Sequence, residues 1–210
     1  MPYFTLKPLL GAFFLGVCYL LVEGGASAEA DVFAAFTAHI HHQVQADKRM
    51  FVAAQICTEW FYRQIGKKPP KATIESITFR PGAVANAQFE SSSDCPRRYP
   101  DGLEGARKDF SLTQSSLSVS LTFYEFALVG DRNDDAQYNQ AELQDMLEAF
   151  GLPFNEALPS SAHLAVLNAQ FDRIRTATGL ETLMTGMGIL YDRGYRFTPQ
   201  DRAALNQIAG

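Results

Sequence analysis

Residues 131–142 read Asp131-Arg132-Asn133-Asp134-Asp135-Ala136-Gln137-Tyr138-Asn139-Gln140-Ala141-Glu142, with oxygen-bearing side chains at the first, third, fifth, ninth and twelfth places. A hard cation such as Ca²⁺ takes about 6–8 oxygen ligands. A short loop supplies them by turning alternate side chains inward and closing the far side with a bidentate carboxylate. Asp131, Asn133 and Asp135 fill the alternating places, and Glu142 stands where the closing carboxylate belongs. Gln137 would add its main-chain carbonyl, and Asn139 would bind directly or through a water. The competing reading is a polar Asp/Asn turn that caps a helix beginning near Gln140 or Ala141 and holds no metal.

The next stretch, Glu142-Leu143-Gln144-Asp145-Met146-Leu147-Glu148-Ala149-Phe150-Gly151, sets an acidic ligand before Leu, an apolar pair, an aromatic and a helix-ending Gly. With the loop before it, this resembles the EF-hand family. The resemblance implies a helix on either side of the loop and Ca²⁺ bound by Asp131, Asn133, Asp135, Gln137, Asn139 and Glu142. Two places depart from the family pattern. Ala136 stands where Gly makes the sharp turn, and a Cβ at positive φ costs roughly 1 kcal/mol, so weakened affinity is expected. Gly130 stands where an apolar residue ends the incoming helix, so altered packing is expected there.

At the N-terminus, residues 1–28 read as a secretory signal. Lys7 precedes an apolar run from Pro8 to Val22, and Ala26-Ser27-Ala28 is a small-residue cleavage site. The run is shorter than the roughly 20 residues that span a bilayer, so export to a periplasmic or extracellular space is expected, without stable membrane insertion after cleavage. Residues 29–210 would then form the folded part, enough for a sizeable core. The composition, 47% hydrophobic with 12% aromatic, suits a globular chain, and a formal net charge of −5 gives no reason to expect nucleic acid as partner.

Cys57 and Cys95 remain after the signal. In an exported chain they most simply form one disulfide, the rival being a catalytic thiol at Cys57. Phe33, Phe36, Ile40 and Val44 predict a helix over 31–46, and Met50, Ala53, Ala54, Cys57, Trp60 and Phe61 a second over 48–64. Ile65-Gly66-Lys67-Lys68-Pro69-Pro70-Lys71 reads as a linker. Over 72–93, two apolar runs flank Arg80-Pro81-Gly82, which predicts a small β-hairpin that a Cys57–Cys95 bridge would staple to the second helix. Residues 95–102 read as loop. Over 112–129, Leu117, Val119, Leu121 and Phe123 alternate as in a strand, while Leu117, Leu121, Tyr124 and Leu128 repeat as in a helix. The helix is chosen, because the loop needs one to deliver Asp131.

Further helices are expected to about Thr178, with Leu164, Leu167, Phe171 and Ile174 on one face, and from Leu180 to about Tyr191. A last one is capped by Thr198 with Pro199 first and Asp201 reaching back. The helix–loop–helix around 192–201 resembles a second, degenerate EF-hand. Phe197 would pair with Tyr138 across the loops, and Arg193 and Arg196 would put positive charge where a cation sits.

The expected fold is mainly α. Residues 29–110 form an N-terminal helical region with a hairpin and a disulfide, and 111–210 an EF-hand-like pair. No phosphate loop, nucleophile elbow or nucleophile–base pair emerges. The expected function is a non-enzymatic, exported calcium-binding protein in which Ca²⁺ stabilises a structural or partner-binding module. Alternatives are an enzyme using His39, His42 or His163 beside a structural calcium, and a module that binds a protein through Met146, Met184 and Met187 or the loop near Arg97. The EF-hand family spans buffers, sensors and structural modules, so the resemblance does not choose among these.

Overall fold

The computed structural model describes residues 31–69, 92–176 and 179–210. Its first helix, α1 (Val32–Gln64), starts at Asp31, whose side chain accepts the Ala34 N–H, and runs unbroken for 33 residues. The two helices expected over 31–46 and 48–64 are therefore one. No Gly or Pro interrupts Ala46-Asp47-Lys48, and the buried stripe of Phe36, Ile40 and Val44 continues through Asp47 to Phe51 and Ala54. Met50, expected on the core side, is exposed, and Phe51 takes the inner position. The helix ends at Gly66, whose φ of 66° lets Lys67 N–H reach back to the Tyr62 carbonyl at 2.9 Å.

After a 3₁₀ turn (Ser92–Asp94) comes a single helical turn, α2 (Cys95–Arg98), where loop was expected. The hairpin expected over 72–93 lies outside the described residues, apart from Ser92 and Ser93, which sit in that turn. Cys95 bonds to Cys57 and ties α2 to α1. Around the bridge, Tyr99 and Ala106 are buried with Trp60 and Phe61 against them, a small satellite core.

The remaining elements are α3 (Leu103–Val129), α4 (Gln140–Glu148), α5 (Ser160–Thr176), α6 (Leu180–Asp192) and α7 (Pro199–Ala209). The cap expected for α7 is present, with Thr198 Oγ1 accepting from Asp201 N–H and the Asp201 carboxylate accepting from Thr198 N–H. The chain is mainly helical, and among the described residues there is no strand.

Helix α3 lies at the centre, touching α1, α5, α6 and α7. That position explains its ambiguous pattern. A helix packed on several sides buries Leu117, Val119, Ser120, Leu121 and Phe123 together, which imitates alternation. Phe123 forms the hub of an aromatic cluster, with Phe171 at 4.9 Å, Phe126 at 5.6 Å, Phe150 at 5.7 Å and Phe36 at 6.0 Å between ring centres. Leu143, Met146 and Leu147 of α4, Leu183 and Leu190 of α6, and Leu205 and Ile208 of α7 join the same core.

Candidate metal site in the 131–142 loop

The last turn of α3 places Asp131, whose N–H donates to the Leu128 carbonyl at 3.0 Å. Gly130 sits there because α4 crosses close by. A Cβ on Gly130 would fall 2.4 Å from Met146 Sδ, so the absent apolar side chain is replaced by Met146 lying across the helix end.

Asp131 is buried, and its carboxylate organises the loop. Oδ1 accepts the Asp135 N–H at 3.2 Å and Oδ2 the Ala136 N–H at 2.7 Å. Asn133 Oδ1 also accepts from Asp135 N–H at 3.3 Å, and Asp135 Oδ1 accepts the Gln137 N–H at 2.9 Å. The chain wraps around these inward-turned oxygens, with Asp134 at φ 56° and Ala136 at φ 61°. Ala136 thus adopts the left-handed conformation expected at the sharp turn, where a Cβ is strained by roughly 1 kcal/mol.

At the far side Glu142 is buried, and its two oxygens accept the N–H groups of Arg132 at 3.0 Å and Asn139 at 2.8 Å. It joins the beginning of the loop to the first turn of α4. Asn139 is the N-cap of that helix, its Oδ1 accepting from Ala141 and Glu142 N–H. The capping role weighed in the sequence therefore belongs to Asn139, while Gln137 is exposed with its N–H on Asp135.

Burial pushes the Asp131 carboxyl above its usual range. The N–H groups of Ala136 and Asp135 draw it down, and the charges of Asp135 and Asp134 push it up. Burial likewise raises Glu142, opposed by the Asn139 and Arg132 N–H groups and reinforced by Asp131 and Asp135. No described Lys or Arg forms an ion pair with Asp131, Asp135 or Glu142. The loop holds partly desolvated carboxylates in mutual repulsion, and its donors are the oxygens a hard cation prefers. As they stand, however, no three His, Cys, Asp or Glu side chains among the described residues lie close enough together to hold a metal ion. The Asn133 amide instead donates to Asp135 Oδ2 at 2.9 Å, a bond that a cation between these residues would displace.

Tyr138 fastens the exit of the loop. Its hydroxyl donates to the Ala127 carbonyl, and its ring meets Phe33 of α1 edge-on at 5.1 Å. Burial, with Asp131 and Glu142 nearby, holds its phenol well above the ordinary value.

The turn between α6 and α7 lies against this loop without the expected pairing of Phe197 and Tyr138, since no backbone hydrogen bond joins them. Side chains make the junction. Arg193 pairs with Asp145 and, at 2.9 Å, with Glu148, and the Tyr195 hydroxyl donates to Asp145 at 2.8 Å. The Arg132 guanidinium lies 5.5 Å from the centre of the Tyr195 ring. Arg196 donates to the Tyr191 and Tyr195 carbonyls. Arg193 thus leaves its own turn for α4, whereas Arg196 keeps its charge on carbonyls at its own turn, and sequence spacing gave no sign of the junction made by Arg193 and Tyr195.

The other candidate residues are dispersed. His39 approaches Asp172 at 3.5 Å, His42 is exposed, and His163 is buried against Phe154 with no hydrogen-bond partner at Nε2. His163 and Asp172 are nine residues apart on α5, which puts them about 13 Å apart along the helix. Met146 and Met187 are core residues and only Met184 is exposed, so the three do not line one groove. Cys57 is consumed in the disulfide. No described helix is long and apolar enough to cross a membrane.

Compared with known proteins, the chain matches no family model, no curated protein and no solved structure.

Proposed function

We propose that this is an exported, non-enzymatic calcium-binding protein whose site is the EF-hand-like loop 131–142. The observation that carries the reading is the wrapping of the loop around the buried Asp131 carboxylate, with Ala136 in a left-handed conformation and Glu142 buried at the twelfth place. A free chain does not hold an alanine there without reason, and a ligand loop needs that turn. Asp131, Asn133, Asp135, the Gln137 carbonyl, Asn139 and Glu142 are the residues that would hold the ion. Bound Ca²⁺ supplies the positive charge that these carboxylates otherwise lack.

The benefit is structural. Asp131 follows the end of α3 and Glu142 lies in the first turn of α4, so holding both fixes the angle between the two helices. At calcium a hundredfold above the dissociation constant the fold would gain about 2.7 kcal/mol. The strain at Ala136 suits the weak regime of extracellular modules, about 10⁻⁴–10⁻³ M. Export is favoured by the apolar run from Pro8 to Val22 with the small residues Ala26-Ser27-Ala28 after it, and by the Cys57–Cys95 disulfide, which persists in oxidising compartments.

The test is calorimetric titration of Ca²⁺ into the oxidised protein, with melting temperature recorded alongside and Glu142→Gln as control. One-site binding with a rise in melting temperature, both lost in the variant, is expected. Neither heat nor shift up to millimolar calcium would reduce the loop to an Asp/Asn turn.

A further inference from the structure

Helix α4 carries Glu142 in its first turn, yet it has only nine residues, too few to stand alone in water. Two sets of contacts hold it. Leu143, Met146 and Leu147 face the core. On another face, Asp145 and Glu148, three and six residues beyond Glu142, are gripped from outside by Arg193 and Tyr195.

Tyr195 is the link between the two ends of the loop. Only 1% exposed, it is pinned among the elements it joins. Its ring lies under Arg132, the residue after Asp131, and its hydroxyl holds Asp145, one turn after Glu142. Arg132 in turn donates its N–H to Glu142 Oε1 at 3.0 Å. The side chain therefore spans the distance that a ligand set drawn from both ends must close.

From this juxtaposition we infer that Tyr195 and Arg193 are positioning residues for the cation site, so that calcium binding at 131–142 and docking of the 193–195 turn are thermodynamically linked. The inference rests on the calcium reading of the loop. Linkage is reciprocal: docking raises affinity for the ion by the same factor by which the ion tightens docking.

Charge alone acts in the opposite direction at Arg193. Removing a guanidinium near a cation site raises affinity for the cation, and uncovering Asp145 and Glu148 raises it further. The informative variants therefore conserve charge. Tyr195→Phe keeps the ring and removes only the bond to Asp145. Arg193→Lys keeps the charge and loses the fork that spans two carboxylates.

The experiment measures the Ca²⁺ dissociation constant of the wild type and both variants by calorimetry at a temperature where circular dichroism shows each fully folded. Hydrogen exchange of 193–196 in the wild type is followed with and without calcium. Weakening by about fivefold or more in both variants, with exchange at 193–196 slowed by calcium in the wild type, is expected. Wild-type binding with both variants within twofold of it, or with no protection at 193–196, would overturn the linkage and leave the calcium site standing. No binding by the wild type would remove both.

Discussion

The Asp47 carboxylate and the Arg175 guanidinium meet at 2.9 Å between α1 and α5, and the second Asp47 oxygen accepts the Ser120 hydroxyl of α3 at 2.5 Å. Gln43 donates to the first oxygen at 3.0 Å, so one buried carboxylate joins three helices. Replacing Arg175 by Met leaves Asp47 without its charge partner in a site that water barely reaches. A loss of about 3 kcal/mol in denaturant unfolding is expected, at the lower end for broken buried pairs because Arg175 is partly solvated. The double variant Asp47→Leu/Arg175→Met should recover much of that loss. Additive losses would mean the pair is not coupled.

The same residue marks where sequence pattern reaches its limit. Asp47 stands in phase with Val44 and Phe51 on the inner stripe of α1. A charged residue there suggests a helix boundary when only the segment is considered, because its partners are 73 and 128 residues away. The longer helices were legible as helix, since their 3.6-residue periodicity and caps are local, as at Thr198 and Asp201, whereas the short α2 and the continuity of α1 were not. The loop at 131–142 and the helix start after it were legible for the same reason. The contact of Tyr195 with Arg132 and Asp145 was not, because neither partner has a sequence pattern that points to the other. Gly130, where the resemblance implies an apolar residue, has its reason in the Met146 side chain against it.

Ala136 offers a local test of the loop conformation. At φ 61° a β-branched side chain is far more strained than a methyl group. Ala136→Val should cost about 1–2 kcal/mol, whereas Ala136→Gly should change stability by less than about 1 kcal/mol, relief of strain being offset by the greater freedom of Gly in the unfolded chain. Thermal melts of the two variants decide this, and equal melting temperatures would mean the turn is not left-handed.

The Cys57–Cys95 bridge closes a separation of 38 residues, for which loop entropy gives about 4 kcal/mol. Its surroundings are the satellite core around Tyr99 and Ala106, apart from the main core around Phe123. A Cys57→Ala/Cys95→Ala variant should lower the melting temperature and loosen this end first. Trp60, which packs on the satellite core, supplies the probe: its fluorescence should change at lower denaturant than helical dichroism does. Coincident transitions would place the bridge and the main core in one cooperative unit.

The pH dependence of stability should change sign with calcium. Asp131 and Glu142 have folded-state values raised above the ordinary 3.8 and 4.5, burial being the first cause for each. Buried Asp201 and half-buried Glu125 shift the same way. For a raised carboxylate the folded chain binds more protons than the unfolded one, so the cost of holding the charge is complete above the folded value. That cost is relieved as pH falls through the folded value toward the ordinary one. Partly exposed Glu148, lowered by Gln144 and Arg193, opposes this only weakly. Without divalent cations, the melting temperature should therefore rise as pH is lowered from 7 toward the ordinary carboxylate values. On the proposed reading, protons would compete with saturating Ca²⁺ at Asp131 and Glu142 and binding free energy would be lost, so the melting temperature should fall over the same interval. Melts at several pH values with chelator and with millimolar calcium give the two slopes. Parallel slopes would separate these carboxylates from the metal, whereas slopes of opposite sign that become parallel in Glu142→Gln would assign the difference to this loop.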